Sequence, residues 1–213
     1  MVTIPQFGPE FRQQLRELLI WRRDVRRFQR TVLPDGLLDE LLELACLAPS
    51  VGLSQPWRFI RVDSTERRRE VEREFERANA SALAGYSGEQ SATYARLKLA
   101  GLDSAPVHLA VFADRGTDKG SGLGRQTMPE MLEYSVIAAI STLWLAARAY
   151  GIGMGWVSII DADRVTGILD APAEWRLVAY LCIGYPQEET EIPELERAGW
   201  EKRNARKVVL LER

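Results

Sequence analysis

The chain has 213 residues, 46% of them hydrophobic and 27% charged, a balance that excludes bulk disorder and collagen-like repetition. A chain of this length buries roughly 70% of its unfolded surface, so one core forms without a disulfide or metal staple. Lysine and arginine number 28 against 30 aspartate and glutamate, a net charge of −2, which argues against general nucleic-acid binding.

One domain spanning 1–213 is expected, with an N-terminal helical arm and a C-terminal extension. The opening MVTIPQFGPEF lacks a basic stretch followed by an apolar core, so no secretory signal is expected there. The longest uncharged stretch, between Glu133 and Arg148, is 14 residues, short of the roughly 20 that a bilayer-spanning helix needs. The expectation is a soluble, cytoplasmic protein with no membrane partner. Cys46 and Cys182 lie in apolar surroundings and read as free buried thiols. His108 is the only histidine, which argues against multi-histidine metal sites, and no metal is expected. Within the strand-like VHLAVFAD it reads as a structural residue.

Along the chain, Arg22 to Arg30 (RRDVRRFQR) carries five arginines and one aspartate. Guanidinium groups match a phosphate bidentately, so the run is a candidate anion site. Asp24 inside it reads either as a charge-balancing partner or as a carboxylate placed for proton transfer. The spacing does not choose between them.

Helical periodicity runs from Leu37 to Ala48, bounded by Pro34 and Pro49. Ala48 to Phe59 (APSVGLSQPWRF) follows as an exposed polar loop, where Ser50, Gln55 and backbone N–H groups offer contacts to a phosphate or a heterocycle edge. Trp57 to Asp63 alternates as a half-buried strand. Glu66 to Arg77 pairs Glu66/Arg69, Glu70/Arg73 and Glu74/Arg77 at i,i+3 and reads as a solvated helix face. Ala78 to Gln90 looks like a mobile loop, and Ala105 to Ala113 a strand.

Gly116 to Gly124 reads as a flexible connection. Thr127 and Glu130 have capping-box spacing ahead of an apolar helix that runs to about Tyr150. Its small side chains, Ser135, Ala138, Ala139, Thr142, Ala146 and Ala149, suit either close approach of another helix or an ordinary core. Gly151 to Ile160 (GIGMGWVSII) passes from a glycine turn into a strand, and Arg176 to Gly184 is a buried strand. Lys207 to Leu211 offers a last short one. Helices and strands mix without a regular rhythm, which indicates an α+β fold with a mainly antiparallel sheet. Neither glycine-rich stretch has the G-x-G-x-x-G spacing or the strand–helix setting of a dinucleotide fold.

These pieces, in this order, resemble the FMN-dependent nitroreductase superfamily from about Trp21 to Arg206. RRDVRRF, SVGLSQPWRF, YARLKLAGL, PEMLEYSVIAAISTLWLAARAYG and GMGWVSII are most similar to its BluB-type branch, the 5,6-dimethylbenzimidazole synthases. Ordinary nitroreductases typically have serine or threonine in place of Asp24. The resemblance implies an intertwined homodimer with FMN at the interface. It also implies an oxygen-dependent reaction in which reduced FMN is the substrate, giving 5,6-dimethylbenzimidazole and erythrose 4-phosphate. A separate NAD(P)H–flavin reductase would supply the reduced FMN.

On the same ground, Arg22, Arg23 and Arg26 would hold the flavin chiefly at its phosphate, with Val25 and Gly155 as further contacts. Asp24 would assist proton transfers, and Ser158 would lie near the reactive edge of the ring. Ser50 and Leu99 would also touch flavin, Leu99 from a lid formed by Tyr94 to Leu102. Arg206 would reach the phosphate, with Arg203 and Lys207 as competitors. Two other readings stay open: an NAD(P)H-dependent nitro- or quinone reductase, and a flavin-binding protein without catalysis.

Overall fold

The computed structural model describes residues 4–97, 101–204, 210–211 and 213. Helix α1 (Pro9–Trp21) forms the N-terminal arm and buries none of its residues. Helix α2 (Leu37–Ala45) buries Leu38, Leu41 and Ala45, one stripe at helical spacing. It stops three residues short of the expected Ala48, because Cys46 to Ala48 tighten into turns before Pro49.

The sheet contains β1 (Trp57–Arg61), β2 (Val107–Asp114), β3 (Gly153–Val157) and β4 (Trp175–Gly184) in the order β1-β2-β4-β3. Every pairing is antiparallel. Alternation along β2 sends side chains to two different cores. Leu109, Val111 and Ala113 join α2 and helix α5 (Met131–Ala149) on one face. Ala110 and Phe112 join Phe28, Val71 and Val165 on the other. That second face is covered by α3 (Thr65–Leu83) and α6 (Ala162–Ile168). Burial on both faces explains why β2 and β4 are almost wholly apolar.

Several elements depart from expectation. The segment expected as a mobile loop, Ala78 to Gln90, instead completes α3 through Leu83 and begins α4 (Gly88–Arg96). Its alanines favour helix, and Tyr94 of α4 donates a hydrogen bond to Asn79 of α3 at 2.8 Å. Glu74 is no solvated residue but only 6% exposed. Arg77 and the Asp161 N–H donate to it, holding its carboxyl below the usual range chiefly through the Arg77 hydrogen bond.

The Thr127–Glu130 capping box does not form. Glu130 stands at the start of α5 without a side-chain cap, and the Thr127 hydroxyl donates back to the Gly124 carbonyl at 3.2 Å. Of the small residues on α5, Ser135 and Ala139 are buried inside the subunit. Ala138, Thr142 and Ala146 are half-buried, and Ala149 is exposed. The stripe that packs is Leu132, Val136, Ala139, Ile140, Leu143 and Ala147. The strand expected at Lys207 to Leu211 lies mostly outside the described residues, and Leu210 and Leu211 are not in a strand.

Cys182 is fully buried and Cys46 partly so, both free thiols. His108 is buried with Nδ1 3.0 Å from the Tyr180 hydroxyl, a structural placement in the sheet. A short helix, α7 (Glu194–Arg197), follows β4. Among the described residues, no helix is long and apolar enough to cross a membrane.

Candidate active site

After α1 the chain turns extended and lies along the outer side of β3. The Val25 N–H donates to the Met154 carbonyl at 3.0 Å, making Asp24 and Met154 a parallel bridge. Farther on, the Gln29 N–H donates to the Tyr185 carbonyl at 2.8 Å and Phe28 bridges Pro186. Phe28 is fully buried, so it anchors the arginine run in the second core.

This placement explains two glycines of GIGMG. A Cβ on Gly155 would fall inside van der Waals contact of the Val25 carbonyl oxygen, and one on Gly153 would meet the Val25 side chain at 2.8 Å. Gly155 therefore has a packing role under Val25, whatever else it touches.

Asp24 is fixed at both oxygens. Oδ1 accepts the Trp156 N–H at 3.0 Å and Oδ2 accepts Arg26 Nε at 2.9 Å. Its side chain remains 34% exposed. A carboxylate held by a backbone donor yet open to solvent can exchange protons with a bound ligand without losing its position. Ser158 is exposed and directly follows β3. It lies two residues beyond Trp156, about 7 Å farther along the strand direction.

Arg22, Arg23, Asp24 and Arg26 line one cleft of about 200 Å³, together with Arg203 and the start of α7. Arg22 stacks over the Trp144 ring at 5.0 Å, and Trp144 Nε1 donates to the Arg23 carbonyl at 3.1 Å. Burial, followed by the nearby charges of Arg203 and Arg22, holds the Arg23 guanidinium below its ordinary value. Those charges mark a field that a dianion would relieve. The arginines and the cleft suit a phosphate monoester.

Arg23 itself is already engaged. Its Nε and Nη2 donate to the Glu191 carbonyl at 2.9 and 2.6 Å, and further donors reach the Arg22 and Ile20 carbonyls. Arg23 thus ties the segment after β4 to the arginine run. Arg27 does the same through Glu194 at 2.6 Å and Glu188 at 3.7 Å.

Ser50 does not line that cleft. Its hydroxyl accepts the Gln55 N–H at 3.0 Å, and the adjacent Val51 N–H donates to the Ser135 hydroxyl at 3.0 Å. Leu53 and Gln55 hold positive φ, 54° and 46°, strain of the kind that clusters at ligand-binding loops. Ser135 and Trp144 are nine residues apart on α5, about 13 Å along its axis. The Ser50 loop is therefore anchored well away from the arginine run within one subunit.

Leu99 and Arg206 lie outside the described residues. Arg203, expected only as a competitor to Arg206, lines the cleft. The charged run ELER after Pro193 was the available signal for that wall of the site. Among the described residues, no group of three His, Cys, Asp or Glu side chains could hold a metal. A larger cleft, of about 740 Å³, lies between Arg115, Asp118, Arg125 and Glu130, and none of the expected site residues lines it.

The nitroreductase family model matches residues 19–185, from the end of α1 to the residue after β4. The chain belongs to the nitroreductase family. It is 56% identical to a 5,6-dimethylbenzimidazole synthase of Rhodospirillum rubrum, over 98% of this chain and 99% of that protein. A 5,6-dimethylbenzimidazole synthase of Rhodobacter capsulatus is 48% identical, over 92% of this chain and 95% of that one. Among solved structures, oxidized iodotyrosine deiodinase bound to FMN and 3-iodo-L-tyrosine superposes with a TM-score of 0.73 at 25% identity. That match covers 93% of this chain and 98% of the deiodinase.

Proposed function

We propose that this nitroreductase-family chain is a 5,6-dimethylbenzimidazole synthase that fragments reduced FMN with dioxygen, releasing erythrose 4-phosphate from the phosphate end. The observation that carries the reading is Asp24, a carboxylate locked to β3 by the Trp156 N–H inside an arginine-lined cleft. The identity with the Rhodospirillum rubrum synthase over 98% of the chain supports the choice of reaction.

Reduced flavin supplies the reactivity toward dioxygen, so the protein's task is binding, orientation and proton movement. Arg22, Arg26 and Arg203 grip the phosphate, and Arg23 completes the field from its anchored position. Binding energy from that remote end places the ring system against Asp24 and Ser158. Asp24 then exchanges a proton through its exposed side, while the Trp156 N–H keeps the carboxylate at its station. Ser158 orients the reacting edge by a hydrogen bond.

We assign the complete site to a homodimer. The arm leaves Phe11, Leu15 and Leu19 exposed, and α5 leaves Tyr134 and Ile137 exposed, an apolar surface suited to a second copy. A partner subunit would bring its strained Ser50 loop to the cleft, which the distance along α5 denies to the same subunit. Reduced FMN is assigned to a separate NAD(P)H-dependent flavin reductase.

The test is aerobic incubation with FMN, excess NADH and a separate flavin reductase, followed by mass-resolved chromatography. The expected product has the mass and retention of authentic 5,6-dimethylbenzimidazole and disappears in Asp24→Asn. Intact FMN after many reduction cycles would overturn the reading in favour of a nitro- or quinone reductase.

A further inference from the structure

The chain beyond α7 runs from an aromatic contact with the α3–α4 hairpin to the arginine cleft. At Trp200 it docks into an aromatic cage. The indole meets Tyr86 edge-on with centroids 5.4 Å apart, and Tyr94 at 6.0 Å. Tyr86 stands between α3 and α4, and Tyr94 is a buried residue of α4. The two tyrosines lie 4.8 Å apart, and the Tyr94 hydroxyl bonds to Asn79 of α3. The cage is therefore the helical hairpin itself. Three residues after Trp200, Arg203 lines the arginine cleft, where its charge adds to burial in holding the Arg23 guanidinium below its ordinary value.

Like charges do not gather unaided. Among the described residues, Arg203 has no carboxylate within ion-pair distance, while Arg27 and Arg197 pair with Glu194 and Glu188. Asp24 and Glu194 line the same cleft, but with no ion pair to fix Arg203 directly, the backbone that leads to it has to be held as well. The aromatic anchor holds that backbone three residues before Arg203, where the Trp200 backbone N–H also closes the α7 turn on the Leu195 carbonyl at 2.9 Å. The Arg203 side chain borders Leu15, Leu19 and Ile20 of α1.

We propose that Trp200 is a positioning residue that couples the α3–α4 hairpin to the arginine cleft, so that a phosphate monoester bound there and the seated hairpin stabilise each other. The identity of that ligand as FMN rests on the function proposed above. The coupling is reciprocal by linkage: whatever seats Trp200 tightens phosphate binding, and phosphate tightens the seat. The hairpin is then seated more firmly in the presence of a ligand that carries its phosphate than of one that does not.

Hydrogen exchange of the amides at 84–97, read with FMN and with riboflavin, tests this alongside flavin titrations. In the natural chain, FMN slows exchange of these amides and riboflavin, which lacks the phosphate, does not. Trp200→Phe keeps the effect. Trp200→Ala abolishes it and weakens FMN about tenfold, the cost of one charge-assisted hydrogen bond to phosphate, with riboflavin affinity changed less than about twofold. Should Trp200→Ala fail to fold, Tyr86→Leu removes the opposite wall of the cage with the same expectation.

Undiminished FMN protection in Trp200→Ala, or equal losses for FMN and riboflavin, would overturn the coupling and leave Trp200 a purely structural residue. If the natural chain binds neither flavin, the flavin reading fails on its own. Inorganic phosphate then serves as the probe. Hairpin protection by phosphate that Trp200→Ala removes sustains the coupling, and its absence overturns it.

Discussion

The Trp156 N–H donates to Asp24 Oδ1 at 3.0 Å, joining an edge strand to a carboxylate 132 residues away in the chain. The Val25 N–H to Met154 carbonyl bond sets the register between the arginine run and β3, and the Trp156 N–H then holds the carboxylate of Asp24, the proposed acid–base group, in one rotamer.

Asp24→Asn separates the two roles of that carboxylate. An amide oxygen still accepts the Trp156 N–H, and although the amide nitrogen gives up the bond from Arg26 Nε, that guanidinium stays in the cleft, so the fold and flavin binding survive. FMN affinity is unchanged or higher, since a negative charge leaves the arginine cleft proposed to hold its phosphate. Product formation falls by about 10²- to 10⁴-fold, the usual worth of a positioned acid or base. Flavin titration and product chromatography on the same preparation check both halves.

Gly155→Ala should destabilise the fold by about 2 kcal/mol or more, because the new methyl collides with backbone at Val25 and not with a movable side chain. Gly167→Ala is the matched control. Gly167 lies in α6 with nothing within 4 Å of its added Cβ, so alanine there stabilises by up to about 1 kcal/mol. Urea unfolding midpoints of the two variants should move in opposite directions.

His108 predicts a pH dependence. Burial, with the Arg68 charge second, lowers it from 6.5 to about 4. The folded state thus favours neutral imidazole while the unfolded chain protonates first. Stability from this residue is fully present above about pH 6.5 and is lost as pH falls toward 4, a change of roughly 3 kcal/mol. Denaturant midpoints at pH 7 and pH 5 should differ by less in His108→Gln than in the natural chain.

The two thiols should differ in reactivity. Burial pushes the Cys182 thiol up to about 12, leaving almost no thiolate to react. Cys46 is partly exposed after α2. Iodoacetamide on the native protein should label Cys46 and spare Cys182, with both labelled after unfolding, as peptide mass mapping would show.

What the sequence disclosed followed the range of the forces involved. The stripe on α2, the alternation in β1 and the apolar run of β2 are local patterns, and the apolar run from Leu132 to Ala147 could hardly be anything but a packed helix. Ala78 to Gln90 misled because asparagine, serine and glycine suggested a loop, where the deciding contact was Tyr94 reaching Asn79 across the hairpin. Thr127 and Glu130 had the spacing of a cap, but the hydroxyl was drawn into the Gly124 turn. Glu74 looked like one more surface carboxylate, because nothing near it in sequence announces the Asp161 N–H. In the site, the arginines and Asp24 were legible as a cluster. The packing need for Gly155, the backbone duties of Arg23, and Arg203 held beyond a caged tryptophan depend on residues tens to hundreds of positions apart.

The chain at Asp24 and Val25 lies against the open side of β3, and that arrangement gives it a second responsibility. An uncovered edge strand offers unpaired backbone groups to any other chain, a common route to aggregation. Here the segment that carries the charged machinery is also the guard over that edge. Substitutions that loosen it should be felt first as insoluble protein.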